Sequence, residues 1–181
     1  MTLSDDALIE MFREPATQNK AFDLLVHKYQ EQLYWVVRRL VVDHDDANDI
    51  IQNVFIKVWN NLGNFREDSK LYTWLYRIAI NESLGFLNSK RMRLFVPLVD
   101  VEKQLNQKLA DDNYFDGNEI QLMLQKAILK LPEKQRIVFN LRYYNEMPYE
   151  DMSEVLGTSV GALKASYHLA MKKIEKSLTG N

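Results

Sequence analysis

The sequence has no cysteine, and its three histidines, at positions 27, 44 and 168, are far apart along the chain. Without cysteine, disulfides and thiolate metal sites are excluded, and the histidine spacing does not fit a metal-ligand pattern. There is no grouping of nucleophile, histidine and acid, and no glycine-rich phosphate loop. These absences predict a protein that is not an enzyme and that has neither a metal site nor a cofactor.

Long apolar runs and an excess of positive charge are also missing. No segment approaches the ~20 apolar residues that span a bilayer, and the N-terminus lacks a basic stretch before an apolar one, so we expect a soluble cytoplasmic protein without membrane insertion. The formal net charge is -2 and the isoelectric point is about 6.0. Because proteins that coat DNA need a large positive charge to displace counterions, any DNA contact must come from local basic patches.

The apolar residues that are present, 46% of the chain, recur at helical spacing and do not alternate. With only six glycines and four prolines, the pattern predicts an all-α protein in which no strand is required. The predicted helices run from Ser4 to Pro15, from about 18 to 40, from about 43 to 62, from 71 into the basic segment SKRMR, from about 120 to 130, onward from Pro132, from 149 to 156 and from 160 to about 178.

An acidic segment with weak periodicity separates the first four predicted helices from the others. Residues 96–119 contain six acids and two lysines, a composition typical of a flexible linker. The sequence therefore predicts two small helical domains, at 1–95 and 119–181, joined by a flexible linker at 96–118. Such a linker keeps two DNA-binding lobes at separate sites and raises their joint affinity.

The segment YEDMSEVLGTSVGALKASYHLA has the pattern of a helix-turn-helix. A short helix meets Gly157, which can adopt the left-handed conformation that ends a helix, and Thr158 and Ser159 then cap a second helix. In this motif the second helix lies in the DNA major groove, and its predicted exposed strip here carries Lys164, Ala165, His168 and Lys172. An ordinary helical hairpin with solvated lysines gives the same pattern, and the motif alone also serves repressors, activators and recombinases.

Two blocks of sequence resemble known regions of one protein family. DANDIIQNVFIKVWNNLGNFRED, with LYTWLYRIAINESLGFL, closely resembles region 2 of the sigma-70 family, and LPEKQRIVFNLRYYNEMPYEDMSEVLGTSVGALKASYHLA resembles its region 4. The two blocks are similar, in type and in their order along the chain, to the regions of the short extracytoplasmic-function (ECF) sigma factors. They cover about residues 20–93 and 119–178. The resemblance implies an RNA polymerase sigma factor for promoter-specific transcription initiation, with core RNA polymerase and promoter DNA as partners. An anti-sigma factor that clamps the two lobes is a further partner to consider.

The resemblance implies that a polar face of the third helix docks on the largest subunit of the polymerase. Polar complementarity gives such docking its register. A favourable interaction of acids with the helix dipole would by itself explain why Asp46 and Asp49 lie near the start of the helix. It would not explain the polar residues Gln52 and Asn53 one turn later. The implied polymerase-binding residues are Asp45, Asp46, Asp49, Gln52, Asn53 and Lys57.

The resemblance also implies that the loop at 64–70, with the helix after it, melts the minus-10 element by capturing a flipped base. Base capture needs stacking faces, polar groups that read base edges and basic groups for the backbone. Trp59 and Trp74 lie on apolar stripes and are assigned to the core, whereas Phe65 fits either the core or the pocket. The implied minus-10 residues are Asn64, Phe65, Arg66, Ser69, Lys70, Tyr72, Thr73, Tyr76, Arg77 and Asn81.

Region 4 would read the minus-35 element, through Ser159, Lys164, Ala165, His168, Lys172 and Lys173. The family often has arginine immediately before the position of Ala170, where this chain has Leu169, so a DNA contact at that position is in doubt. Ser153 replaces the usual small alanine of the preceding helix and should fit the same crossing. The second hypothesis is a helix-turn-helix regulator that binds DNA without polymerase, for which we would expect a dimerisation surface and tight autonomous binding.

Overall fold

The computed structural model describes residues 3–94, 103, 107–109 and 118–180, and within these ranges the regular secondary structure is helical. The prediction of an all-α chain with two helical lobes is confirmed. Most of the predicted linker at 96–118 lies outside the described residues, and so does residue 95 at the predicted domain boundary. In chain order the helices are α1 Asp5–Arg13, α2 Gln18–Val41, α3 His44–Leu62, α4 Leu71–Leu94, α5 Glu119–Leu129, α6 Glu133–Tyr143, α7 Tyr149–Leu156 and α8 Val160–Thr179.

The N-terminal lobe is built by α1 to α4 around one apolar core. Helix α1 begins where Ser4 Oγ accepts a hydrogen bond from the backbone N–H of Ala7 at 3.2 Å, which satisfies an N–H that has no partner within the helix. Phe12 is 1% exposed and packs edge to face on Trp59, with ring centroids 5.3 Å apart. The short first helix is therefore part of the core of this lobe.

The corner between α2 and α3 is tightly turned and charged. Val42 has a φ of 67°, in the left-handed region that a β-branched residue rarely adopts. Asp43 then caps α3 and accepts hydrogen bonds from the backbone N–H groups of Asp45 and Asp46, both at 3.0 Å. Buried Val42 forms a small apolar cluster with Leu109 and with α5, so the described part of the linker packs on this corner.

The C-terminal lobe contains the predicted helix-turn-helix in α7 and α8. Gly157 ends α7 with a φ of 63°, as the sequence indicates, and Ser159 Oγ accepts from the backbone N–H of Ala162 at 3.3 Å at the start of α8. Thr158, which was also predicted to cap α8, instead donates back to the carbonyl of Leu156 at 3.4 Å. Buried Leu163 anchors α8 on the core.

The two lobes pack against each other. Helix α4 contacts α7, and α2 contacts α6. One continuous apolar cluster includes Tyr76 and Ile80 of α4 together with Met147, Met152 and Val155 of the other lobe. The sequence does not predict how the two lobes are placed relative to each other, and in this structure both apolar and polar contacts join them.

Candidate polymerase and DNA interfaces

The polar face predicted on α3 is largely open to solvent. Asp45, Asp49, Gln52 and Asn53 are exposed, and Asp46 is half-buried. Lys57 is also exposed and forms an ion pair with Glu82 of α4. Because these residues follow one another at spacings of three or four along α3, most of them form a single stripe beside α4.

Two carboxylates at the start of α3 are held by lysines from other parts of the chain. Lys108 Nζ lies 2.9 Å from Asp43 Oδ2 and 3.1 Å from Asp46 Oδ2, and Lys90 Nζ lies 3.0 Å from the same Asp46 oxygen. Partial burial raises the pKa of Asp43, but hydrogen bonds from Lys108 and from the backbone N–H groups of Asp46 and Asp45 outweigh it and lower that pKa from 3.8 to about 2. The corner is therefore a fixed cluster of opposite charges.

Next to the polar stripe, an apolar groove runs between α2 and α3. It has a volume of about 750 Å³ and an open mouth. Ile56 is 57% exposed and Trp59 is 36% exposed, so Trp59, which the sequence analysis assigned to the core, also faces solvent. Both are missing from the predicted site, although Ile56 follows Gln52 by one helical turn and that spacing could have revealed it. The other lining residues are Phe22, Asp23, Val26, His27, Gln30, Ile51, Gln52 and Phe55.

The loop between α3 and α4 forms a pocket of about 300 Å³. Five of the predicted minus-10 residues line it, and three lining residues were missed by the sequence analysis. The aromatic floor is formed by Phe65, which is 7% exposed, and Trp74, with ring centroids 5.0 Å apart. The predicted lining residues are Asn64, Phe65, Arg66, Ser69 and Arg77, and the missed ones are Asn61, Asp68 and Trp74.

The shape of this loop is fixed by a residue of α1. The guanidinium of Arg13 donates to the backbone carbonyl of Phe65 at 2.7 Å and lies 2.8 Å from the carboxylate of Glu67. Glu67 has a φ of 61°, a conformation that a non-glycine residue adopts only where the surroundings hold it. Arg13 is therefore a supporting residue that the sequence analysis did not identify, because it lies 52 positions away.

Further along, the predicted minus-10 face of α4 packs against the other lobe, where Thr73 contacts Glu154 of α7 and Tyr76 contacts Asn145 of the loop before α7. Thr73 is 0% exposed and Tyr76 is 4% exposed, and burial raises the pKa of Tyr76. Lys70 and Asn81 are exposed, whereas Tyr72 and Arg77 are half-buried. Thus the structure brings the loop residues together in an open pocket, whereas Thr73 and Tyr76 are buried and contact the other lobe.

The predicted minus-35 residues form an open surface on α8. Lys164, Ala165, His168, Lys172 and Lys173 are all exposed. Ser159, also exposed, caps the helix. The Lys164 ammonium lies 5.8 Å from the centroid of the Tyr149 ring, and the ammonium of Lys173 donates to Gln135 at 3.0 Å. At the uncertain position, Leu169 is 48% exposed, so it faces solvent on the same helix.

Within the described part of the chain, no cluster of three or more histidine and carboxylate side chains could hold a metal ion. In the same residues, no helix is both long enough and apolar enough to cross a membrane.

Comparison with known families matches both halves of the chain. The family described as sigma-70 region 2 matches residues 25–93, and the family described as sigma-70, region 4 matches residues 121–174. The first match contains the polar stripe of α3 and the loop pocket, and the second contains α7 and the part of α8 up to residue 174. The predicted site residues therefore lie within the matched regions, whereas the supporting residue Arg13 lies outside them.

Several relatives match almost the whole chain. An RNA polymerase sigma-H factor of Pseudomonas aeruginosa is 35% identical to this chain, and the match covers 96% of this chain and 93% of the relative. An ECF RNA polymerase sigma-E factor of Escherichia coli is 31% identical, and the match covers 97% of this chain and 95% of the relative. In fold, the chain resembles CnrH in complex with the cytosolic domain of CnrY (TM-score 0.71, 22% identity, 98% of both chains covered). It also resembles the sigma factor RpoE of Bartonella quintana in complex with the anti-sigma factor NepR (TM-score 0.66, 22% identity, 88% and 98% covered).

These relatives favour the sigma factor over a helix-turn-helix regulator that acts without polymerase. The order of the two matched regions, the all-helical fold and the identity over nearly full length agree with one another. The chain therefore belongs to the sigma-70 family, as an ECF RNA polymerase sigma factor that directs promoter-specific transcription initiation.

Proposed function

We propose that this sigma factor uses three separate surfaces to bind polymerase and promoter DNA. Helix α3 docks on core RNA polymerase, the loop pocket with α4 captures the minus-10 strand, and α8 reads the minus-35 duplex. The observation that carries the proposal is the loop pocket. Residues predicted from the sequence to capture a base line one cavity of about 300 Å³, a size at the lower end of small-molecule sites.

The chemistry of the loop pocket suits a nucleobase. Phe65 and Trp74 supply an apolar aromatic floor, while Asn64 and Ser69 supply groups that can hydrogen-bond to a base edge. Arg66 and Arg77 at the rim supply positive charge for the adjoining phosphates. We infer that Phe65, being buried, shapes the pocket from below and does not serve as a free stacking platform.

For polymerase docking, the polar stripe and the groove of α3 complement each other. The exposed polar side chains of Asp49, Gln52 and Asn53 can orient the bound partner. Ile56 and Trp59 provide apolar surface that becomes buried when the partner covers it. Interfaces commonly combine a buried apolar centre with a polar rim. We therefore extend the predicted docking site by Ile56 and Trp59.

The open surface of α8 suits duplex DNA. Residues 160–178 contain four lysines and one acid, and Lys164, Lys172 and Lys173 are exposed. Lysine contacts phosphates or guanine, and Ala165 is small enough to meet a thymine methyl group. Because the whole chain carries a net charge of -2, we expect weak DNA binding by the free protein and strong promoter binding only with polymerase.

Three further assignments belong to this proposal. We expect the protein to act in the cytoplasm, where core polymerase and the chromosome are found, and to leave all catalysis to the polymerase. An anti-sigma factor is a further expected partner, since the fold resembles the RpoE chain in the complex with NepR. We also keep the domain limits 1–95 and 119–181 as proposed functional units.

The proposed function is tested with purified protein, core polymerase and a library of promoter fragments. We expect the protein to bind core and to direct transcription from a defined subset of fragments, whose sequencing gives the promoter. Asp49→Lys should weaken core binding, with Glu10→Lys on exposed α1 as its charge-matched control. Lys164→Ala should weaken minus-35 recognition by about 1 kcal/mol and leave core binding intact, with exposed Lys126→Ala as its control.

Two results would contradict the proposal. If the wild-type protein neither binds core nor selects fragments, the chain does not act as proposed. If Asp49→Lys and Lys164→Ala lower only the thermal stability, as a buried structural residue would, the surfaces have been assigned to the wrong residues.

A further inference from the structure

Leu169 is an apolar side chain on the solvent-exposed part of α8. It is 48% exposed, and none of the apolar clusters formed by the described residues includes it. The core side of the same helix is marked by Leu163, Ala170 and Ile174, which are all buried. Leu169 directly precedes Ala170, so the two side chains leave the helix about 100° apart. Packing within the protein therefore does not account for a leucine at this position.

The neighbours of Leu169 on the helix surface belong to the proposed DNA-reading surface. Ala165 lies one turn before it, and Lys172 and Lys173 lie one turn after it. All three are exposed. The ammonium of Lys173 is directed toward α6, where it donates to Gln135 Oε1 at 3.0 Å. Ala165 and Leu169 therefore occupy adjacent exposed apolar positions with lysines next to them.

This combination of apolar and basic side chains suits the major groove of DNA. The lysines can contact phosphates, while the base edges in the groove present one apolar group, the C5 methyl of thymine. A leucine side chain has no hydrogen-bonding atom, so it gains free energy in the groove by burying apolar surface against such a methyl group. An apolar protein partner would also bury Leu169, but the adjacent lysines favour a polyanion.

The position of Leu169 along α8 allows it to meet the same stretch of DNA as Ala165. Four residues of an α-helix rise about 6 Å. Successive bases of one strand are about 3.4 Å apart along the axis of the duplex. The two side chains therefore span about two base steps.

We propose that Leu169 is a specificity-determining residue of the minus-35 surface, where its side chain contacts the C5 methyl group of a thymine. This inference rests on the proposed function, which assigns α8 to the minus-35 duplex. Lys172 supplies affinity through phosphates or guanine, whereas Leu169 supplies a preference for one base. The minus-35 element of this sigma factor therefore contains a thymine that Leu169 selects.

The first experiment selects minus-35 sequences with the full-length protein bound to core polymerase. Promoter fragments carry a randomised minus-35 element, and the bound fraction is sequenced for wild type, Leu169→Ala and Met171→Ala. Met171 is 42% exposed and lies about 160° around the helix from Leu169, so its substitution is the matched apolar control. We expect wild type and Met171→Ala to prefer thymine at one position, and Leu169→Ala to lose that preference.

The second experiment removes only the methyl group from the DNA. At the preferred position deoxyuridine replaces thymidine, and the two duplexes, labelled with different dyes, compete for the complex of protein and polymerase. Loss of one methyl contact should weaken binding by wild type about four-fold, equivalent to about 0.8 kcal/mol. Leu169→Ala should bind both duplexes equally, and Leu169→Met, which keeps a long apolar side chain, should retain the preference for thymidine.

A third measurement places the same methyl group on a different base. When 5-methylcytosine replaces cytosine at the preferred position, binding by wild type should strengthen by a similar factor, whereas Leu169→Ala should show no gain. Leu169→Arg should shift the selected base toward guanine, because arginine donates to guanine O6 and N7. Equal binding of cytosine and 5-methylcytosine by wild type would count against recognition of the methyl group.

The inference is wrong if wild type shows no thymine preference in the minus-35 element, if Leu169→Ala keeps that preference, or if wild type binds deoxyuridine as well as thymidine. Core binding without DNA should be the same for wild type and all variants, which shows that the variants fold. A loss of core binding confined to Leu169→Ala would assign the side chain to a protein contact and would also overturn the inference. Failure of the proposed function is distinguishable, because wild-type protein would then select no promoter with core polymerase.

Discussion

Replacing Lys108 by methionine tests how firmly the linker is held on the N-terminal lobe. The substitution keeps the length of the side chain and removes the ammonium that bridges Asp43 and Asp46 at 2.9 and 3.1 Å. We expect the pKa of Asp43 to rise from about 2 toward its usual 3.8. It should not reach that value, because the backbone N–H groups of Asp45 and Asp46 still donate to the carboxylate.

The size of the effect follows from that pKa. A fall from 3.8 to about 2 corresponds to about 2 kcal/mol, at roughly 1.4 kcal/mol per unit. Lys108 shares this with the two backbone donors, and the side chains of Lys108 and Asp43 are 33% and 31% exposed. Solvent screening therefore leaves about 1 kcal/mol or less for the ion pair.

The sign of the pH dependence is fixed by the direction of the shift. Because the pKa of Asp43 is lower in the folded than in the unfolded chain, its contribution is complete above about pH 4 and is lost as the pH falls toward 2. Lys108→Met should therefore lower the free energy of unfolding by about 1 kcal/mol at pH 7, and the difference from wild type should shrink below pH 4.

The measurements are a carboxyl NMR titration of Asp43 and urea unfolding at pH 7. Lys20→Met, at an exposed lysine near the start of α2, is the matched control and should leave both quantities unchanged. A pKa of Asp43 that is the same in wild type and Lys108→Met would refute the argument, since it would mean that the linker lysine does not hold this carboxylate.

Three further substitutions probe other parts of the fold. Phe12→Ala removes a ring that is 1% exposed and should lower the free energy of unfolding by about 4 kcal/mol, measured in urea with tryptophan fluorescence. In Gly157→Ala the new methyl group meets no neighbouring atom, but alanine rarely adopts the φ of 63° found there. The substitution should therefore lower the free energy of unfolding by about 1 kcal/mol. Ile56→Ser should weaken binding to core polymerase several-fold without loss of stability, whereas Leu178→Ser, at a 40% exposed apolar control position, should not.

Each of these has a contrary outcome. Full stability of Phe12→Ala would mean that α1 is not part of the core. Unchanged stability of Gly157→Ala would mean that the turn before α8 is not left-handed, and equal core binding by Ile56→Ser and Leu178→Ser would remove the groove from the docking site.

The helices were predictable because their signals are local. Ser4 and Asp43 precede helices that they cap, Gly157 ends one, and apolar residues at spacings of three and four mark the buried stripes. Trp59 shows the limit of this reasoning. Its position on an apolar stripe predicts burial, but the stripe of α3 is wider than the area that α2 covers, and so the ring lines an open groove.

The residues that the structure brings together in the loop pocket and on α8 were predictable where they are close in sequence. The loop pocket draws mainly on residues between Asn61 and Arg77, and the surface of α8 lies on one helix. Contacts between distant segments carry no such local signal. The pairing of Lys70 with Asp151 spans 81 positions and that of Lys108 with Asp43 spans 65, so the contact between α4 and α7 and the docked linker became visible only in three dimensions.

If the loop pocket captures the minus-10 strand as proposed, the link between Arg13 and the loop lets the first helix influence DNA binding without touching DNA. A loop that must order itself around a base loses conformational entropy on binding, whereas a loop already fixed by its neighbours loses little. Through the carbonyl of Phe65 and the carboxylate of Glu67, Arg13 holds the pocket in shape before any strand arrives. The proposed capture of the minus-10 strand would therefore gain affinity from the packing of an N-terminal helix, because that packing pre-organises the pocket.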